Sequence, residues 1–174
     1  MRGIPSPFSR PDASELFDPD DAFVPDHLPE PGAFLAGHDV LVDDRHVEVH
    51  GLSHELFEER GVYDVTFGYN LAMLDLDRRH PDAGFRYAVE ADDPGVLRAE
   101  FTPTTPFCPQ AGPLAEGAFR AWNGLSERHP YDLVRVRVAE MHYGSEATNE
   151  RLRALEDDFV ETGELEPVAG TSPF

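Results

Sequence analysis

No lysine occurs anywhere in the 174 residues of this chain, and cysteine occurs once, at Cys108. Without lysine there is no GxxxxGK phosphate loop, because that loop needs the lysine ammonium to reach the β- and γ-phosphates. A single cysteine excludes an internal disulfide framework and any Cys-rich structural zinc site. Long apolar runs are also missing: nothing approaches the ~20 residues needed to span a bilayer. The opening MRGIPSPFSRPDASEL lacks the apolar core of a secretory signal. A soluble cytoplasmic protein is therefore expected. Positive charge is scarce, with 14 basic residues, all arginine, against 34 acidic ones and a net charge of -20. Such a field repels phosphate backbones, so neither nucleic acid nor an anionic membrane is an expected partner. An acidic surface free of lysine suits molar intracellular salt, where the Debye length shrinks to ~3 Å. That points to a halophilic, haloarchaeon-like source and makes Asp/Glu runs solvated surface before they are sites.

What is present divides the chain unevenly. Residues 1–37 hold seven of the 16 prolines and read as an acidic N-terminal arm, extended or wrapped over the domain. Residues 38–70 read as an extension: DVLVDDRHVEVHG as two short alternating strands about a turn at Asp43 and Asp44, SHELFEERG as a short helix capped by Ser53 and stopped at Gly61, and VYDVTFG as a strand. NLAMLDLDRRHP reads as a short helix capped by Asn70. Residues 71–165 form the expected domain, and 166–174 a tail. Within the domain, FRYAVEA and VLRAEFTPT each put alternate apolar residues on one face about the turn DDPG, which predicts a hairpin. GPLAEGAFRAWNGL carries Leu114, Ala118, Ala121, Trp122 and Leu125 at helical spacing, with Pro113 suited to a first turn. YDLVRVRVAEM alternates Val134, Val136 and Val138 inward with Arg135 and Arg137 outward. A helix through Leu152, Leu155 and Phe159 then ends near Gly163. The order strand-strand-helix-strand-helix predicts an α+β domain: a small mixed sheet with helices on one face.

The lone cysteine lies in FTPTTPFCPQAG, just ahead of a helix start, among Pro103, Pro106 and Pro109 and near the hydroxyls of Thr102, Thr104 and Thr105. A helix N-terminus favours an anion such as a thiolate, and prolines stiffen the loop that presents it. A buried, inert cysteine is the simpler role for the same position. The sequence EFTPTTPFCPQA, followed by an amphipathic helix, a Val-rich strand and GSEATNERL, resembles the iron–sulfur cluster assembly domain of the SufT, PaaD and MIP-eighteen family. That family has a TPTxPxC loop, matched here by Thr102, Pro103, Thr104, Pro106 and Cys108. Its second segment is matched in compressed form by Gly144, Ser145, Glu146 and Asn149. The family's Asp-Pro-Glu element corresponds at best to His80–Asp82, and the extra C-terminal cysteines of the PaaD branch are missing. The resemblance implies a non-enzymatic factor in iron–sulfur protein maturation, a homodimer by family habit, with client proteins or cluster carriers as partners. Cys108 would touch iron, a cluster or a client thiolate transiently, with Thr104 and Glu146 shaping the site. Glu146 could equally serve only its helix dipole. Because stable clusters commonly take four cysteine ligands, any cluster here would be labile and shared.

Four other readings compete. His46, Glu48 and His50 on one face of a strand, with His54 nearby, could converge on a metal, although such residues also decorate solvated hairpins. His142 and Tyr143 could line the Cys108 pocket, or His142 could be an ordinary loop histidine. A cysteine nucleophile would take His129 or His142 as base and Asp132 as orienter. An interaction module would use the arm and an exposed sheet edge, with Cys108 incidental.

Overall fold

The computed structural model describes residues 17–18, 27–64, 68–163 and 165. The hairpin forms where alternation predicts it. Strands β4 (Gly84–Val89) and β5 (Val96–Thr102) pair antiparallel, with Phe85 opposite Phe101 and Tyr87 opposite Ala99. The Val-rich segment is β6 (Leu133–Val138), joined to β5 in parallel through the intervening helix α2 (Ala111–Gly124). A two-residue strand β1 (Asp39–Val40) adds to the free edge of β4, so the sheet runs β1-β4-β5-β6. Helix α3 (Ser145–Thr162) closes the chain order and ends at Gly163, whose φ of 72° satisfies a left-handed C-cap. The protein is thus a mixed α+β fold on a small mixed sheet.

The largest difference from the expectation lies before the hairpin. DVLVDDRHVEVHG does not form two strands: beyond β1, residues Asp43–Arg60 are one 18-residue helix, α1. Over that length His46, Val49, His50, Ser53, Leu56 and Phe57 recur at helical spacing and all are buried. The five residues HVEVH alternate by accident within a pattern of longer period. Ser53 consequently sits mid-helix instead of capping one, and its hydroxyl donates to the His50 carbonyl at 2.7 Å. Strand β2 (Tyr63–Asp64) pairs with β3 (Tyr69–Asn70), and residues 65–67 of VYDVTFG lie outside the described residues. Asn70 does cap the next element: its side chain accepts the Ala72 N–H at 2.9 Å, although the element is a 3-10 helix, Leu71–Leu76.

One core lies between the sheet and helices α1 and α2. Phe57 from α1, Phe85 and Tyr87 from β4, Phe101 from β5, Phe119 and Trp122 from α2 and Val136 from β6 are all within 1% of full burial. Each large side chain so buried contributes about 2–3 kcal/mol of transfer free energy. Helix α3 packs beside them at the β6 edge, adding Leu152 to the core and setting Phe159 edge-on to Phe119. No helix among the described residues is long and apolar enough to cross a membrane.

The opposite sheet face is polar but not simply solvated. Residues 28–36, part of the proline-rich arm, cross it. Gly32 N–H donates to Glu100, Arg86 donates to the Pro29 carbonyl and Arg98 to the Phe34 carbonyl. A Cβ at Gly32 would stand 2.7 Å from a Glu100 oxygen, so any larger residue there requires that carboxylate to move. Arg137, expected outward, does point to this face yet is 6% exposed.

A histidine pair is embedded in the core side of α1. His50 Nε2–H donates to the Ala72 carbonyl at 2.8 Å, and burial, its dominant influence, lowers its pKa below the ordinary 6.5, with His46 and His54 acting the same way and Asp75 opposing. Protonation therefore favours the unfolded chain. Stability should hold above pH 6.5 and decline as pH falls below it. Thermal melting between pH 8 and 5 checks this, and His50→Gln should flatten the acid limb; an unchanged limb would assign the loss to other groups.

Candidate functional site at the cysteine loop

The parallel β5–α2–β6 crossover decides where Cys108 sits. β5 ends at Thr102, the chain turns through Pro103 to Gln110, and α2 begins at Ala111, so the thiol stands at the carboxyl end of the sheet ahead of a helix. β6 ends at the same side, and its exit loop, Ala139 to Gly144, runs against the cysteine loop. Sheet ladder bonding carries on past the strands, with Ala139 N–H donating to the Phe101 carbonyl at 2.8 Å.

Two further contacts lock the loops together. Tyr143 N–H donates to the Pro106 carbonyl at 3.0 Å. His142 Nε2 lies 2.7 Å from the Cys108 carbonyl and must donate there, while its Nδ1 accepts the Gly144 N–H at 3.1 Å. The imidazole is thereby fixed in one tautomer, in a side chain only 5% exposed. His142 is thus a tie between the two segments rather than an ordinary loop histidine. Little in the sequence marks that role.

Cys108 itself is half-buried, packed partly against the core. Around it the surface turns apolar. Phe107 and Tyr143 are each 72% exposed, their rings 5.7 Å apart, with Met141 also exposed. Pro103 is buried and Thr102 and Thr104 are half-buried; the Thr105 hydroxyl accepts the Phe107 N–H.

The second motif divides into a structural and an exposed part. Asn149 pairs with the outer edge of β6: its oxygen accepts the Val138 N–H at 2.8 Å and its amide donates to the Val138 carbonyl at 3.0 Å. It substitutes for a missing fifth strand. Gly144 precedes α3 and packs its Cα against the His142 ring, where a Cβ would come within 3.3 Å. Ser145 is half-buried and Glu146 exposed, in the first turn of α3, where a carboxylate favours the helix dipole. His80–Asp82 lies on the turn before β4, away from the thiol loop in sequence and held by Asp82 N–H to the His27 carbonyl.

Of the competing constellations, His142 and Tyr143 do meet the cysteine loop, while the metal and nucleophile sets are not assembled among the described residues. In α1, His46, His50 and His54 stack along one side at ring separations of 6.5 Å, while Glu48 is exposed on the other. His46 faces Asp75 at 3.3 Å, and among the described residues no group of three His, Cys, Asp or Glu is placed to hold a metal ion. His129 Nε2 donates to the Trp122 carbonyl at 2.6 Å and its Nδ1 accepts the Tyr131 N–H. With Asp132 it sits where β6 begins, the length of a strand, roughly 20 Å, from the thiol end of the sheet. His142 is close to Cys108, but both of its nitrogens are engaged by backbone.

The profile of a domain of unknown function, DUF7998, matches residues 15–166. The chain belongs to the DUF7998 family. No curated protein and no solved structure matches it. The matched span includes α1 and the described part of the arm as well as the hairpin and cysteine loop, and α1 supplies Val49, Leu56 and Phe57 to the common core. In this DUF7998 member the chemistry on display is therefore one half-buried thiol on a loop clamped by a histidine with both ring nitrogens engaged and rimmed by exposed aromatic rings.

Proposed function

We propose that this protein is a maturation factor for iron–sulfur proteins, an adaptor or cluster-transfer protein that works through Cys108 without turning over a small substrate. The observation that carries the reading is the meeting of the two segments that resemble the SufT and MIP-eighteen domain. They are far apart in sequence, yet His142 and Tyr143, directly before Gly144, bond to the Cys108 and Pro106 carbonyls. The clamp holds the thiol loop while leaving Phe107 and Tyr143 exposed for a partner.

Iron or a cluster enters here as cargo. Cys108 is the chain's only cysteine, so one chain offers one sulfur ligand and even a homodimer offers two. Donors from a client or carrier would have to complete the shell, which suits release better than storage. A halophilic cytoplasm is the proposed setting, consistent with the lysine-free acidic composition.

The test is anaerobic affinity purification in high salt from a halophilic host, comparing wild type with Cys108→Ser for bound iron and co-purifying proteins. Iron–sulfur enzymes or cluster carriers should accompany wild type and fall at least tenfold with the variant, while its melting stays within about 1 kcal/mol of wild type. Identical, iron-free partners in both samples would assign the surface to an interaction module in which the cysteine is incidental.

A further inference from the structure

We infer that the polar face of the sheet carries a binding site for a small dianionic oxyanion, inorganic phosphate or the phosphate group of a small monoester. It is separate from the cysteine loop and does not rest on the maturation reading.

The site is a pocket of about 400 Å³ between the crossing segment, the sheet and α3. Four of the chain's 14 arginines line it: Arg98 from β5, Arg135 and Arg137 from β6, and Arg153 from α3. Such a concentration is out of keeping with a chain of net charge -20. Arg98 and Arg135 are direct neighbours across the parallel ladder, an arrangement of like charges that is destabilising in itself. Two glutamates mediate it. Glu90 Oε1 accepts both Arg98 Nε at 3.0 Å and Arg135 Nε at 2.7 Å, and Glu156 accepts from Arg135 at 2.6 Å and from Arg137 at 3.1 Å. The Phe34 ring lies 4.6 Å from the Arg98 guanidinium and 5.2 Å from that of Arg137, which fixes both forks.

This network engages both Nη groups of Arg137, which donate to the Val136 carbonyl and to Glu156, but leaves donors on the other three arginines. Among the described residues Arg98 uses Nε and Nη1, and Arg135 likewise, leaving the two Nη2 groups with N–H donors still to place. Arg153 makes no hydrogen bond or ion pair among the described residues. Four guanidiniums stand against four carboxylates, Glu90 and Glu156 among the arginines and Glu100 and Glu140 in the lining, so the formal charges balance and the draw on an anion is the spare N–H donors of Arg98, Arg135 and Arg153. On the opposite wall stand Glu140, which is exposed, and Glu100, which is occupied by the Gly32 N–H and whose pKa is raised by burial. Preplaced planar forks with spare donors match the bidentate geometry of a phosphate. The pocket admits the anion with a small substituent, and the acidic exterior would discourage a polyanion.

The experiment is isothermal titration of the full chain with inorganic phosphate, then with glycerol phosphate, at constant ionic strength in potassium chloride. Wild type and Cys108→Ser should each show one saturable site of equal affinity, and Arg153→Gln should weaken it roughly tenfold or more with unchanged melting in the absence of phosphate. Glycerol phosphate binding at the same site would identify a monoester pocket, and its exclusion a site for the free anion. Absence of saturable binding by wild type, or binding by Arg153→Gln as tight as wild type, would overturn the inference.

Discussion

Replacing Asp75 with alanine should destabilise the protein by about 3–4 kcal/mol, the range expected when one member of a buried polar cluster is removed. Asp75 is 2% exposed and joins three elements from the 3-10 segment. One carboxylate oxygen accepts the Phe85 N–H of β4 at 2.5 Å, and the other lies 3.3 Å from His46 Nε2 on α1. Gly84 explains how closely the carboxylate approaches. With φ at 119° and the Asp75 Cα 3.0 Å from where a Cβ would stand, only glycine is accommodated. Alanine at 75 would leave the Phe85 N–H buried without its acceptor and His46 without its carboxylate. Asparagine keeps an oxygen for Phe85 and should recover roughly half of the loss. Denaturant unfolding of both variants in high salt checks the order; an alanine variant within 1 kcal/mol of wild type would mean that α1 and β4 do not depend on this junction.

His142→Ala should separate loop positioning from thiol chemistry. The substitution strands the Cys108 carbonyl and the Gly144 N–H, at a cost of about 2 kcal/mol. The sulfur is untouched, yet capture of iron–sulfur clients should fall nearly as far as in Cys108→Ser, and alkylation of the thiol should speed up several-fold as the loop loosens. Glutamine, which can still donate to the Cys108 carbonyl, should restore part of both properties. Undiminished client capture by His142→Ala would show that His142 is structural only.

The contrast between these two sites follows what a sequence can display. The β4–β5 hairpin was legible because its alternation continues on both sides of a turn and each strand has one fully apolar side, Phe85 and Tyr87 facing Leu97, Ala99 and Phe101. Helix α2 was legible for the same reason at helical period, with Leu114, Ala118, Ala121 and Trp122 buried. Helix α1 was not, because three of its six buried positions are His46, His50 and Ser53, which weaken the apolar signal, while HVEVH imitates a strand over five residues. Its histidines looked like ligands for the same reason: polar side chains that the core accommodates by bonding to Ala72 and facing Asp75.

At the candidate site, proline spacing and the position before a helix identified the Cys108 loop. The clamp was invisible because it joins residues 34 positions apart through one ring and two backbone groups. The arginine pocket was less legible still. Arg135 and Arg137 alternate with valines as a solvent-facing set would, and only the crossing segment, with Phe34 bonded to an arginine 64 residues away, shows that the face is enclosed.

The most direct measurement is made in the native cell: delete the gene, complement it with wild type or Cys108→Ser at equal protein level, and assay an iron–sulfur dehydratase of the aconitase type beside an iron-free dehydrogenase. Wild type should restore the dehydratase, and Cys108→Ser should leave it near the level of the deletion, with the iron-free enzyme constant in all three strains. Full restoration by Cys108→Ser, or a dehydratase that never falls on deletion, would contradict a role for this thiol in iron–sulfur maturation.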